Sequence, residues 1–175
     1  GQALTNALSQ TVDAAFFNGG GAYAPAGLPG LSGISTVTGD ADTSLDLYVD
    51  AIAAVEDAGG QAGAIYVSPA TWAALSKIKT GTGSTQPVLS PQGSLSGATS
   101  RSLFGVPVHT SRHVAADTAW VLDPSRVIVV ERNPATVDAD RSILFDKDAT
   151  MLRATMRLEF AAPIPGVVCK VAPAA

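Results

Sequence analysis

Leu4, Leu8, Val12 and Phe16 recur every four residues with Ala3, Ala7 and Ala15 beside them, and the pattern stops at Asn18-Gly19. That is the apolar stripe of a helix closed by a glycine free to adopt the left-handed turn. A second stripe, Leu45, Tyr48, Val49, Ile52 and Val55, predicts a helix capped by Asp42 or Thr43 and ended by Gly59-Gly60, with acids on its other face. Between the two, residues 19–39 are rich in Gly, Pro and Ser and read as a long connector. Residues 64–67 predict a short buried strand. Ser68-Pro69 then supplies an N-cap followed by proline at the first helical position, so a third helix is expected over 69–78.

From 79 to 101 the chain is dominated by Gly, Ser, Thr, Pro and Gln, with Val88, Leu89 and Leu95 as apolar anchors, and reads as a mobile loop. Residues 106–110 predict a strand. Residues 119–122 and 126–131 predict a hairpin across Asp123-Pro124-Ser125, sharing a sheet with 64–67. Leu152, Ala154, Met156, Leu158 and Phe160 alternate with Arg153, Thr155, Arg157 and Glu159, the period-two signature of a long strand with one wet or partner-facing side. Residues 142–145 either pair with that strand or form a short turn, and 167–171 make a final strand. The fold class is α+β.

Charge changes this picture more than size does. The 175 residues suffice for a core without disulfide or metal staples. Only 15% are charged against 46% hydrophobic, and mean hydropathy is +0.25, too few charges to coat a lone globule in the usual way, so some apolar surface is expected to meet a partner. Residues 1–76 carry seven acids and no Lys or Arg, while all eleven basic residues come later, giving −7 and +3 for the two segments. A chain so polarised is suited to head-to-tail association of acidic surface on basic, although one lobe that happens to be acidic gives the same count. Net charge of −4 makes nucleic acid an unsuitable direct ligand. Apolar runs break well before the roughly 18 residues a membrane span needs, no basic and apolar leader opens the chain, and the absent initiator Met reads as processing or trimming.

Candidate chemistry is sparse. Ser111 lies near His109 and His113, but no G-x-S-x-G elbow or third member accompanies them, so ordinary strand-end residues are the better reading. Cys169 sits in the apolar run Val167, Val168, Cys169, Lys170, Val171, where a small buried side chain is expected rather than a thiol nucleophile. The glycines after Asn18 follow no strand and precede no G-K-[ST], so they end a helix instead of cradling phosphate. No catalytic residue, metal or cofactor is expected. Arg153 and Arg157 project from one face of the long strand, and guanidinium forks suit fixed carboxylate pairs. The candidate subunit contacts are Arg153, Arg157, Glu159, Asp46 and Asp50, with a merely solvated strand face as the alternative for the arginines.

In this order, the segments Phe16-Phe17-Asn18-Gly19-Gly20, the connector through Gly27, Ala64-Ile65-Tyr66-Val67-Ser68-Pro69-Ala70-Thr71-Trp72, Leu103-Phe104-Gly105-Val106-Pro107-Val108, and Leu152-Arg153-Ala154-Thr155-Met156-Arg157 before Pro163 resemble the major capsid proteins of tailed bacteriophages with the Hong Kong 97-type fold. The resemblance implies a peripheral domain over 1–38, holding the end of a spine helix and a connector, and an axial domain over 39–133. It further implies peripheral long strands over 134–162 and a return strand toward the axial domain over 163–175. The axial domain would be a mixed sheet flanked by helices.

It also implies a non-enzymatic shell protein that assembles with copies of itself into pentamers and hexamers of an icosahedral head. Such a head encloses double-stranded DNA without binding it specifically, is built in the bacterial host cytoplasm and becomes part of the virion. Scaffold, portal and decoration proteins are the further partners implied, and no membrane is. The family's N-terminal arm, extended loop and start of the spine helix precede the matched segments, so the chain reads as a truncated core. Two alternatives stay open: an encapsulin-like nanocompartment shell, which would show a cargo-tail groove, and a small α+β hydrolase or ligand-binding domain, which would show a deep pocket with convergent polar groups.

Overall fold

A computed structural model of the chain describes residues 2–20, 24–79, 81, 88–89, 101–140 and 150–173. Most of the loop expected over 79–101 and all of 142–145 lie outside the described residues. The chain divides into two compact units, residues 1–30 with 128–161 and residues 31–127 with 162–175. The α+β class read from the sequence is the one observed.

The second unit is built on a six-stranded mixed sheet. Its strands are β1 (Ser35–Thr38), β2 (Ala64–Val67), β3 (Ser102–Leu103), β4 (Val106–Thr110), β5 (Ala119–Leu122) and β8 (Val168–Ala172), in the order β1-β8-β5-β2-β4-β3. β1 runs parallel to β8 and β2 parallel to β4; the remaining pairs are antiparallel. Every residue of β5 is buried, as a continuous apolar strand at the centre of a covered sheet should be. Helix α2 (Asp46–Asp57) packs Tyr48, Ala51 and Val55 inward against β8, β1 and β5. The Tyr48 hydroxyl donates to the Ala41 carbonyl at 2.6 Å, which satisfies it inside the core. Burial, with the nearby Asp42 charge, pushes its ionisation far above the ordinary tyrosine value.

The strand-to-helix step at 64–69 forms as read. The Ser68 Oγ accepts from the Thr71 N–H at 3.0 Å, and Pro69 opens α3 (Pro69–Leu75). This helix is shorter than the 69–78 expected, because its last turn closes at Ser76 and Lys77 on the Trp72 and Ala74 carbonyls. Helix α2 also starts later than expected. Asp42 and Thr43 do not cap it; Thr43 Oγ1 instead donates to the Asp40 carbonyl, and the Asp46 N–H is met by Ser44 Oγ. Ala51 is in the core, whereas Val49 of the expected stripe is exposed. The connector 19–39 contains strand β1, which its Gly and Pro content had hidden.

Asp123 sits where β5 ends. Its carboxylate accepts from the Gln61 N–H at 3.0 Å, the Ser125 N–H at 3.0 Å and the Ser125 hydroxyl at 2.6 Å. The Ser125 hydroxyl and then the Gln61 amide hold this carboxyl below its ordinary value.

The first unit holds helix α1 (Gln2–Asn18), a single 3-10 turn (Leu28–Gly30) and the two-stranded ribbon of β6 (Ile128–Asp140) and β7 (Met151–Ala161). The hairpin expected between 119–122 and 126–131 does not exist. β5 pairs with β2 and β8, and β6 pairs with β7 in a separate sheet, because Asp123 caps a 3-10 turn at Pro124–Arg126 instead of a hairpin turn. α1 ends at Gly19, with φ +68° and its N–H on the Ala15 carbonyl. Gly27 crosses that helix end so closely that a Cβ would collide with the Ala15 and Phe16 carbonyl oxygens. The small core here is Phe17, Leu28 and Phe160, with Phe16 edge-on to Phe17 at 5.0 Å and to Phe160 at 4.9 Å.

Candidate contact surface

β6 and β7 form a long antiparallel pair, from Ile128 opposite Ala161 to Asp140 opposite Met151. Irregularities between Glu131 and Asn133 and between Asn133 and Thr136 accommodate Pro134, which cannot donate to the ladder. All thirteen residues of β6 are exposed. Val129, Val137 and Leu152 are 57%, 58% and 55% exposed, and Ile128 and Val130 are comparably open. A two-stranded ribbon is marginal in water by itself, and one that shows this much apolar surface, with no third strand among the described residues, has the character of a surface completed by a partner.

β7 keeps the alternation seen in the sequence, with Ala154, Met156 and Leu158 half-buried, Phe160 buried and the intervening residues exposed. The half-buried stripe of α1, Leu8, Val12 and Ala15, shares with Met156 and Leu158 a groove of about 820 Å³. It is open and mostly apolar, with Arg132, Arg157 and Glu159 as the charged residues of its lining.

The sequence-predicted contact residues fall in two places. Arg153 pairs across the ribbon with Asp138 at 3.3 Å, both side chains exposed, a pair worth less than about 1 kcal/mol in water. Two residues on, Thr155 meets Thr136 at 2.9 Å between hydroxyls, and Arg157 stands opposite Asn133. Glu159 is exposed, and its Oε1 accepts from the Ala26 and Phe160 N–H groups at 3.1 Å each, which ties the connector to β7 within its own unit. Asp46 and Asp50 lie in the other unit, on the exposed stripe of α2 with Val49 and Ala53.

The residues considered for chemistry have other occupations. His109 stacks on Tyr66 at 5.3 Å, and the Ser111 hydroxyl accepts from the backbone N–H of His113. Cys169 is fully buried, and burial raises its thiol to about 11, so it stays protonated and unreactive at neutral pH. Among the described residues no cluster of three or more His, Cys, Asp or Glu is placed to hold a metal, and no helix is long and apolar enough to cross a membrane.

Sequence reasoning missed the apolar contribution of β6. Ile128-Val129-Val130 has the composition of a buried strand, and only the low overall charge hinted that some such run stays on the surface.

Comparison with known proteins places these features in context. The model of the family described as "Phage capsid family" matches residues 1–169. No curated protein matches the chain. Similar solved structures include the capsid of an empty GTA particle (TM-score 0.71, 20% identity, covering 99% of this chain and 65% of that one). A structure from Microbacterium phage Oxtober96 is similarly close (TM-score 0.70, 18% identity, 98% and 63%). An encapsulin complex from Synechococcus elongatus follows (TM-score 0.64, 16% identity, 98% and 63%). The chain therefore spans slightly less than two thirds of the length of these structures.

Proposed function

The chain belongs to the phage capsid family, and from that premise we propose that it is the core of a major capsid protein, a structural and non-enzymatic subunit that assembles with its copies into the pentamers and hexamers of an icosahedral head. The observation that carries this reading is the ribbon of β6 and β7, an extended surface that shows apolar side chains to solvent in the single chain. In this reading the unit of 1–30 and 128–161 is the peripheral domain. The six-stranded unit is the axial domain around the capsomer axes, with residues 163–175 as its return strand.

Closed shells require the same heterologous contact repeated around five- and six-fold rings. Each contact draws on apolar burial at about 25 cal/mol per Å², reduced by the lost freedom of the subunit, so individually modest contacts become strong only in the closed lattice. Arg153, Arg157 and Glu159 on the ribbon and Asp46 and Asp50 on α2 are the polar members of these contacts. The particle encloses double-stranded DNA without specific binding, consistent with the chain's net charge of −4. It is a virion component assembled in the host cytoplasm, with scaffold, portal and decoration proteins as further partners.

A shell enclosing protein cargo is the second reading, supported by the encapsulin similarity, which has a lower TM-score than the two phage-type structures above. Electron microscopy and sedimentation of the full-length protein expressed alone test the proposal. Rings of five and six or closed shells are expected, and a strictly monomeric full-length protein would overturn it. The absorbance ratio of particles purified from the native source separates the two readings, since a DNA-filled head absorbs mainly at 260 nm.

A further inference from the structure

The hairpin joining β3 to β4 has an unusual tip. Leu103 pairs with Val106, leaving a two-residue loop of Phe104 and Gly105 with φ of +51° and +83°. Two positive φ values in a two-residue loop are the mark of a type I′ turn, for which Asn-Gly is the preferred sequence because Asn tolerates the left-handed region. Here phenylalanine occupies the Asn position, and it is 58% exposed, the only exposed Phe, Tyr or Trp among the described residues. Both the backbone conformation and the wet ring are unfavourable for the isolated chain, and the second is relieved only by a partner.

The hairpin is held as a rigid knob. Leu103 and Val106 are buried, and the Val108 N–H bonds the Arg101 carbonyl at 2.8 Å. The Arg101 guanidinium donates to Thr110 Oγ1 at 2.7 Å and lies 5.8 Å over the Trp72 ring, leaving an exposed cation beside the knob. β3 is one edge of the sheet, whereas α2 packs over β8 and β1 at the opposite edge. The outward stripe of α2 offers Val49, 46% exposed, between the exposed carboxylates of Asp46 and Asp50. An apolar knob with a cation at one edge and an apolar spot between two anions at the other are complementary, and their separation across one unit makes the contact head-to-tail, the geometry that closes rings.

We propose that Phe104 is an interface anchor that seats on the Asp46–Val49–Asp50 stripe of α2 in a neighbouring copy of this chain. The inference rests on the capsomer reading above and assigns residues to one of its contacts. The wet face of Val49 and the unusual turn residue then have one explanation: each is buried by the other.

The test uses the full-length protein. Phe104→Asn creates Asn-Gly, so the hairpin is retained or strengthened while the anchor is lost. The variant should keep the wild-type thermal midpoint or exceed it, yet need on the order of tenfold to a hundredfold more protein to form capsomers. Phe104→Tyr should assemble as wild type. Phe104→Cys with Val49→Cys should give, on oxidation, a ladder of cross-linked subunits ending at five or six. Phe104→Cys with Arg126→Cys, an exposed position outside the proposed contacts, should give none. Wild-type assembly with Phe104→Asn assembling equally well, or a missing ladder in the first pair, overturns the inference and leaves the capsomer reading standing. Failure of the wild type itself to form capsomers overturns both.

Discussion

The two units of this chain solve the burial problem differently. Among the described residues, twenty of the twenty-three buried apolar side chains belong to the six-stranded unit, and three, Phe17, Leu28 and Phe160, belong to the unit of helix and ribbon. The six-stranded unit has a central strand covered on both faces and two helices to cap it. The helix and ribbon unit exposes every residue of its longest strand. One unit is stable by what it encloses, and the other leaves its longest strand open to solvent. The low charge of the sequence is thereby localised: the missing polar coat is largely the apolar surface of β6 and β7.

Truncating a side chain in each unit should give opposite results. Trp120→Ala removes the largest core side chain of the sheet and should lower stability by about 3–5 kcal/mol, measured by denaturant unfolding. Val129→Ser with Val137→Ser on the ribbon should change the unfolding of the unassembled chain by less than about 1 kcal/mol while abolishing particle formation by sedimentation. Equal losses of stability from both would erase the distinction. Gly27→Ala should cost on the order of 2 kcal/mol or more, because a methyl there strikes the carbonyls that end α1 and the left-handed φ of +64° disfavours it. Hydrogen exchange should show the loss confined to the helix and ribbon, with β5 still protected.

Smaller effects sharpen the same contrast. Asp123 titrates below its ordinary 3.8 in the folded chain, so the unfolded state binds more protons in that range and stability rises with pH there. Its contribution is complete above the unfolded value and is lost as pH falls below about 4 through the folded one. Asp123→Asn should flatten that part of the stability curve, read from unfolding between about pH 2 and 6. Arg153→Ala, which removes the exposed ion pair to Asp138, should change stability by less than about 1 kcal/mol.

What was readable in the sequence follows the same division. Signals that act within a few residues were legible: Ser68-Pro69 starting α3, Gly59-Gly60 ending α2, and the alternation of β7. Pairings over long separations were not. β1 is a short strand in a Gly- and Pro-rich stretch, and its partner β8 lies far along the chain, with Ser35 opposite Cys169. β6 continues past Glu131 through Asn133 and Pro134, residues that argue against a strand, because β7 supplies a ladder the local sequence does not advertise. The proposed contact residues were legible only as charges. Arg153, Arg157, Glu159, Asp46 and Asp50 are all exposed, Glu159 with a hydrogen bond to its own unit as well, and the apolar candidates, Val129, Val137 and Phe104, become visible only once exposure is known.

The contrast between an enclosed sheet and an uncovered ribbon is tested most directly by hydrogen exchange of the full-length protein, measured residue by residue in unassembled subunits and in assembled particles. Amides of β6 and β7 should exchange fast in free subunits and slow by at least about a hundredfold on assembly, while those of β5 and β2 are protected in both. Ribbon amides already as protected as β5 in the free subunit, or unchanged by assembly, would contradict it.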